Sequence, residues 1–189
     1  MTTGTDLETE LLGPVLRDRD CGDCTVCCTT LKVDAPGLRK PAGVPCVHLG
    51  AGGCGIHAER PGICRAWFCA WRRLAELPEA ARPDRSGLLV SINYVREPRN
   101  CLEGVSIMVR QLDGSTAIAD GTAATVLDAL CDSLIPVWFS DGARQMLMHP
   151  EAAVARHVID GTPAPAALRD EVAAWRRHYA GFAPDAPAG

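Results

Sequence analysis

Hydrophobic positions follow different periods in different parts of the chain. Over residues 6–16, Leu7, Leu11, Leu12, Val15 and Leu16 recur at helical spacing, and Pro14 is expected to end or bend that helix. Between residues 21 and 64 the period is lost. "DAPGLRKPAGVP" and "LGAGGCG" are punctuated by Gly and Pro, which predicts loops folded around a centre rather than regular elements. From Arg65 the three- and four-residue step returns in Trp67, Ala70, Trp71 and Leu74, predicting a helix that stops near "LPEAARPD".

The second half reads as strands and helices. "SGLLVSINYVRE" and "CLEGVSIMVRQL" are β-rich runs around "PRN", predicting a hairpin in which Cys101 opens the second strand. "DGTAATVLDALCDSL" predicts a helix with Asp120 as N-cap and Leu127, Leu130 and Leu134 on one stripe. "IPVWFS" and "RQMLM" predict two further strands, and helices are expected near 151–160 and 164–180. The fold class is α+β: a cysteine-rich metal-binding module, then a small β-hairpin and helix region, then C-terminal helices. The expected divisions are an N-terminal helix over 1–20, the module over 21–77, an α+β region over 84–181 and a disordered tail over 182–189.

Composition changes this picture in one respect. A chain of 189 residues can build a full hydrophobic core, so its ten cysteines are not needed to rescue a small scaffold. "MTTGTDLETELLGPVL" lacks the basic flank and apolar run of a signal peptide, and no apolar stretch approaches the roughly 20 residues of a membrane helix. A cytoplasmic location is expected, with no membrane partner. Thiols there are kept reduced, so these cysteines are expected to bind metal or do redox work. The net charge of −4 argues against a nucleic-acid partner. From Cys21 to Leu77, however, seven Lys and Arg stand against four Asp and Glu, a surround suited to thiolates and equally to an ordinary solvated face.

Eight cysteines fall in the first 69 residues: Cys21, Cys24, Cys27 and Cys28 in "CGDCTVCC", then Cys46, Cys54, Cys64 and Cys69. Two-residue gaps let successive sulfurs converge on one centre, as tetrahedral zinc and cubane iron–sulfur sites require. Thiolate suits both metals, so zinc and iron are both expected cofactors. The adjacent Cys27 and Cys28 should not easily ligate one ion together. They could serve two neighbouring centres or different atoms of one cluster, or one could be a buried spare. Four thiolates on Zn²⁺ carry −2, and Arg60 and Arg65, flanking Cys64 in "ERPGICR", are expected either to offset that charge or to sit in water.

"CGDCTVCC", "PCVHL", "CGIH" and "RPGICRAWFCAW" resemble the YkgJ-type cysteine-cluster proteins, described as a zinc- or iron-chelating domain. The resemblance covers roughly residues 20 to 90. It implies metal binding at Cys21, Cys24, Cys27, Cys28, Cys46, Cys54 and Cys64, with Cys69 following a subset of the family. His57 stands where many members have tyrosine. A larger relative with this motif, the flagellin lysine methylase, implies an iron–sulfur enzyme of methyl or electron transfer as the alternative function.

Other candidates have simpler roles. His57 and His48 are expected to be hydrogen-bonded loop residues, since thiolates are already plentiful. Cys131 belongs to core packing and Cys101 to structure. Trp67 and Trp71 are expected in the core or as a lid over the sulfurs, while His149, His157 and His178 are scattered without a partner pattern. A thiol oxidoreductase is disfavoured because no strand precedes a C-x2-C that opens a helix. No phosphate loop, dinucleotide fingerprint or serine-triad signature is present.

Overall fold

The Gly- and Pro-rich first half folds as short pieces. The computed structural model describes residues 9–112 and 121–180. Residues 9–12 are helical, and α1 spans Val26–Thr30. β1 (Val33–Ala35) pairs antiparallel with β2 (Leu38–Lys40), and β3 (Leu49–Gly50) with β4 (Gly53–Cys54). α2 is Gly62–Ala66. The expectation of loops alone over 21–64 is therefore corrected. Gly37 (φ 81°) and Gly53 (φ 103°) take backbone conformations that side chains avoid, and each lets the chain double back onto itself.

The second half is built on one sheet. α3 (Pro83–Ser86) ends on Gly87 at φ 68° and delivers the chain into β5 (Leu88–Tyr94). After α4 (Cys101–Gly104), β6 (Val105–Gln111) returns antiparallel to β5. α5 (Thr122–Leu130) leads to β7 (Val137–Ser140), which lies parallel to β6, and β8 (Gln145–His149) completes the order β5-β6-β7-β8. α6 (Ala152–Asp160) and α7 (Arg169–Ala180) close the described chain. The architecture is α+β. No helix among the described residues is long and apolar enough to cross a membrane.

The period of two explains the sheet's main core face. Val90 pairs with Val109, Val109 with Phe139 and Ile107 with Val137, and all five side chains are buried. Fully burying such a side chain is worth roughly 1.5–3 kcal/mol. This face packs with Ala123, Val126 and Leu130 of α5 and also with Leu12, Cys69, Trp71 and Leu77. One core is thus shared by residues on both sides of position 80. A second cluster joins Leu102 of α4 to Val154, Val158, Val172 and Trp175 of the terminal helices.

Several expected boundaries move. The helix read from Arg65 to Leu74 is broken: α2 ends at Ala66, Trp67 and Cys69 are extended, and Ala70–Arg72 form one 3-10 turn. Arg19 then holds the segment that follows, its guanidinium donating to the carbonyls of Trp71, Leu74, Ala75 and Leu77. The N-terminal helix stops before Gly13 at φ 74°, so Val15 and Leu16 lie outside it. "CLEG" is helical rather than extended, because Asn100 accepts a bond from Leu102 N and Glu103 holds Arg99. α5 ends at Leu130 and buries Ala123, Val126 and Leu130, while Leu134 lies past its end against the second cluster. Asp120 and the tail 182–189 lie outside the described residues.

Candidate metal centre

Arginines staple the "CGDC" loop to the segment that carries Cys69. Besides its four carbonyl bonds at 2.5–3.1 Å, Arg19 stacks over the Trp71 ring at 5.2 Å. Arg72 reaches Asp20 at 3.1 Å, and Leu16 N donates to Arg72 O at 2.8 Å. Two residues past Cys21, Asp23 meets the buried Arg82, which also holds Asp84 at 2.8 Å. Gly22 packs against that guanidinium, where an added Cβ would lie 3.8 Å from it. A turn closes the loop itself, with Cys24 N donating to Cys21 O at 2.9 Å. Cys21 and Cys24 are in this way presented to Cys69, which is buried in the core beside Trp71.

A different set of bonds gathers the other cysteines. Cys46 N donates to Cys28 O at 3.0 Å, and Gly43 N to Thr30 O at 3.0 Å, so the chain before β3 lies along α1. The β3–β4 pair places Leu49 opposite Cys54 and thereby returns the chain beside Cys46. Arg60 then bridges the next two turns: its guanidinium donates to His57 O at 2.6 Å and to Cys64 O at 3.2 Å. Its third contact is His57 Nδ1 at 3.2 Å. Every cysteine of the eight is half-buried except Cys69, which is buried.

Electrostatics follow these connections. A side-chain hydrogen bond between Cys27 and Cys28 raises the Cys27 thiol and favours the Cys28 thiolate. Lys40 and Arg60 favour that thiolate further. Burial pushes the Cys69 thiol up to about 11, and the charges of Cys21 and Cys24 add to the effect. Burial also raises Cys64, with Cys28, Cys46 and Cys54 acting on it in the same direction and Arg60 against. Cys24 is raised by burial, with Asp84 and Cys21 contributing. Desolvation and mutual repulsion of this kind are what a cation among the sulfurs would relieve.

The donor set therefore fits a thiophilic metal by its chemistry and by the cations around it. Among the described residues, no three His, Cys, Asp or Glu side chains already stand in ligating geometry. A metal would have to draw the sulfurs inward, which short loops between brief elements allow.

Of the two arginines flanking Cys64, Arg60 lies over the carbonyls of His57 and Cys64. Arg65 is exposed and makes no side-chain bond among the described residues. Sequence reasoning missed Lys40, whose side chain is buried with its ammonium on the carbonyls of Thr29, Leu31 and Pro41. It also missed Arg19, Asp23 and Arg82. Nothing in their local sequence marks them, since each partner lies on a remote segment or on the backbone. Trp71 is a core residue, and Trp67 packs partly against the same core. Cys131 packs against that core and Cys101 against the second cluster, both away from the eight. His48 is half-buried and His57 exposed. Comparison with protein-family models, with curated proteins and with solved structures finds no match to this chain.

Proposed function

We propose that this chain is a metal-binding protein whose cysteine module holds zinc or iron through thiolates. One observation carries the proposal: the fold brings each of eight cysteines from separate segments within electrostatic reach of others of the set, with Lys40, Arg60 and Arg82 around them. Disulfides would serve a chain that needed only stapling, yet all ten cysteines are free thiols. The C-x2-C-x2-C-C spacing and the resemblance to YkgJ-type proteins support the same reading. When bound, the metal supplies a soft Lewis-acid centre that fixes the loops, and this chain's residues supply the ligands and the charges that stabilise them. Such a centre suits a reducing compartment.

The test is metal analysis with an ultraviolet–visible spectrum on full-length protein purified without oxygen. Stoichiometric zinc in a colourless protein, or iron with the brown colour of a sulfide cluster, supports the proposal. Protein that is metal-free as purified, and that takes up neither Zn²⁺ nor Fe²⁺ under reducing conditions, refutes it.

A further inference from the structure

We infer that a second site, separate from the cysteines, lies on the far face of the four-stranded sheet and binds a small, neutral, planar molecule with a hydrogen-bonding edge, of nucleobase size. It goes beyond the metal-binding reading and does not depend on it.

Alternation along the strands builds the floor of this site. Val90, Val109, Val137 and Phe139 turn to the main core, so Asn93 of β5, Ser106 and Met108 of β6 and Trp138 of β7 turn the other way. Asn93 stands opposite Ser106 in the register, and Met108 opposite Trp138. The second apolar cluster takes Leu147 from this face. Beside it a cavity of about 360 Å³ opens, lined by Asn93, Ser106, Met108, Trp138 and Gln145 and edged by charged residues.

Ser106 points to a ligand. The residue is 1% exposed, and its Oγ has no hydrogen-bond partner among the described residues. A buried hydroxyl left unpaired is destabilising, so it calls for a partner from outside the chain. The side-chain amides of Asn93 and Gln145 make no bond among the described residues either. Three side chains that can both donate and accept thus line one cavity with bonding capacity to spare.

Between these polar groups the surface is apolar. Met108 is buried yet outside both apolar clusters, and Trp138 is half-buried. The Trp138 indole is fixed by its Nε1, which donates to Leu102 O at 3.2 Å, so it offers the ligand a ring rather than a hydrogen bond.

Charge narrows the class further. Arg99 and Glu103 are bonded to each other at 2.6 Å, which leaves Glu97 as the unpaired charge at the mouth among the described residues. A phosphate or carboxylate would meet its repulsion. Amides and a hydroxyl read a donor–acceptor edge, while a ring and a thioether pack on a flat face. A neutral heterocycle carries both features, and the volume lies at the lower end for small-molecule sites.

The test is two-dimensional NMR of the ¹⁵N-labelled full chain, titrated to millimolar concentration with adenosine, cytidine, uridine and nicotinamide. At least one of the four should shift the side-chain amides of Asn93 and Gln145 and the backbone amides of Ser106 and Met108 saturably. The 5′-monophosphate of any nucleoside that binds should bind more weakly than the nucleoside. Ser106→Ala should weaken binding about three- to tenfold. Its urea midpoint should stay level or rise, since an unpaired hydroxyl is removed, and its metal content should not change. Gln145→Ala, at an exposed position, should weaken binding without touching the core and serves if Ser106→Ala fails to fold. No saturable shift at these residues with any of the four would overturn the site. So would wild-type affinity in a folded Ser106→Ala and in Gln145→Ala, or a nucleotide that binds more tightly than its nucleoside.

Discussion

Replacing Arg19 by alanine removes the contact that shapes the segment between Trp67 and Leu77. Four bonds are lost, to the carbonyls of Trp71, Leu74, Ala75 and Leu77, together with the stacking over Trp71. Each bond contributes a net of about 0.5–1.5 kcal/mol, and a half-buried guanidinium belongs near the lower end. The stacking adds about 0.5–1 kcal/mol. The sum is about 3 kcal/mol. With a urea slope of about 2–3 kcal/mol per molar, the midpoint should fall by about 1–1.5 M. The assay is equilibrium urea unfolding of the metal-free, reduced protein, so that metal linkage does not enter. Arg65→Ala is the control, because Arg65 is exposed without a side-chain partner among the described residues, and it should stay within about 0.5 kcal/mol of wild type. An Arg19→Ala midpoint equal to that of the control would refute the role assigned to Arg19.

Cys24→Ser swaps a soft thiolate for a poor ligand, so bound metal should fall and the module should become protease-sensitive. Cys131→Ala should cost on the order of 1 kcal/mol and leave metal content unchanged, as measured by elemental analysis of both variants. Arg60→Ala removes the bridge between the His57 turn and Cys64 and should weaken metal affinity by about tenfold or more, read by competition with a chromophoric chelator. Arg65→Ala should leave that affinity at the wild-type value. Glu103 is held below the usual glutamate value of 4.5, chiefly by its bond to Arg99. The stability it contributes relative to Glu103→Gln should be fully present above that value and lost as pH falls through the depressed folded one. A difference that grows in acid would contradict the sign.

The four strands, though not their pairing into one sheet, were legible in the sequence because period-two burial leaves its mark on the strands themselves. Val90, Val109, Val137 and Phe139 would expose apolar surface in any other register. The two terminal helices were legible for the same reason at the helical period. What escaped was set by partners distant along the chain. Trp67 to Leu74 has helical spacing, yet the chain is extended at Trp67 and Cys69, and Arg19, more than fifty positions away, holds the carbonyls of Trp71 and Leu74. "CLEG" has strand-like neighbours, yet Asn100 and Glu103 cap it as a turn of helix. Among the residues around the cysteines, Lys40 and Arg82 left no mark in the sequence, because a buried charge is recognised by its partner rather than its position. Arg60 and Arg65 are equivalent in sequence as flanks of Cys64. Only the fold separates them, placing Arg60 over two carbonyls and Arg65 in solvent.

The most direct test of the central claim is residue-resolved alkylation of the native, anaerobically purified chain, with and without a strong chelator, followed by mass spectrometry. Metal ligation predicts that Cys21, Cys24, Cys27, Cys28, Cys46, Cys54, Cys64 and Cys69 resist iodoacetamide in the untreated protein and become reactive together once metal is removed. Cys101 and Cys131 should label to the same extent in both samples, since packing against the apolar clusters rather than a metal governs them. Identical labelling of the eight with and without chelator, in protein shown to be folded, would contradict the claim that these sulfurs hold a metal.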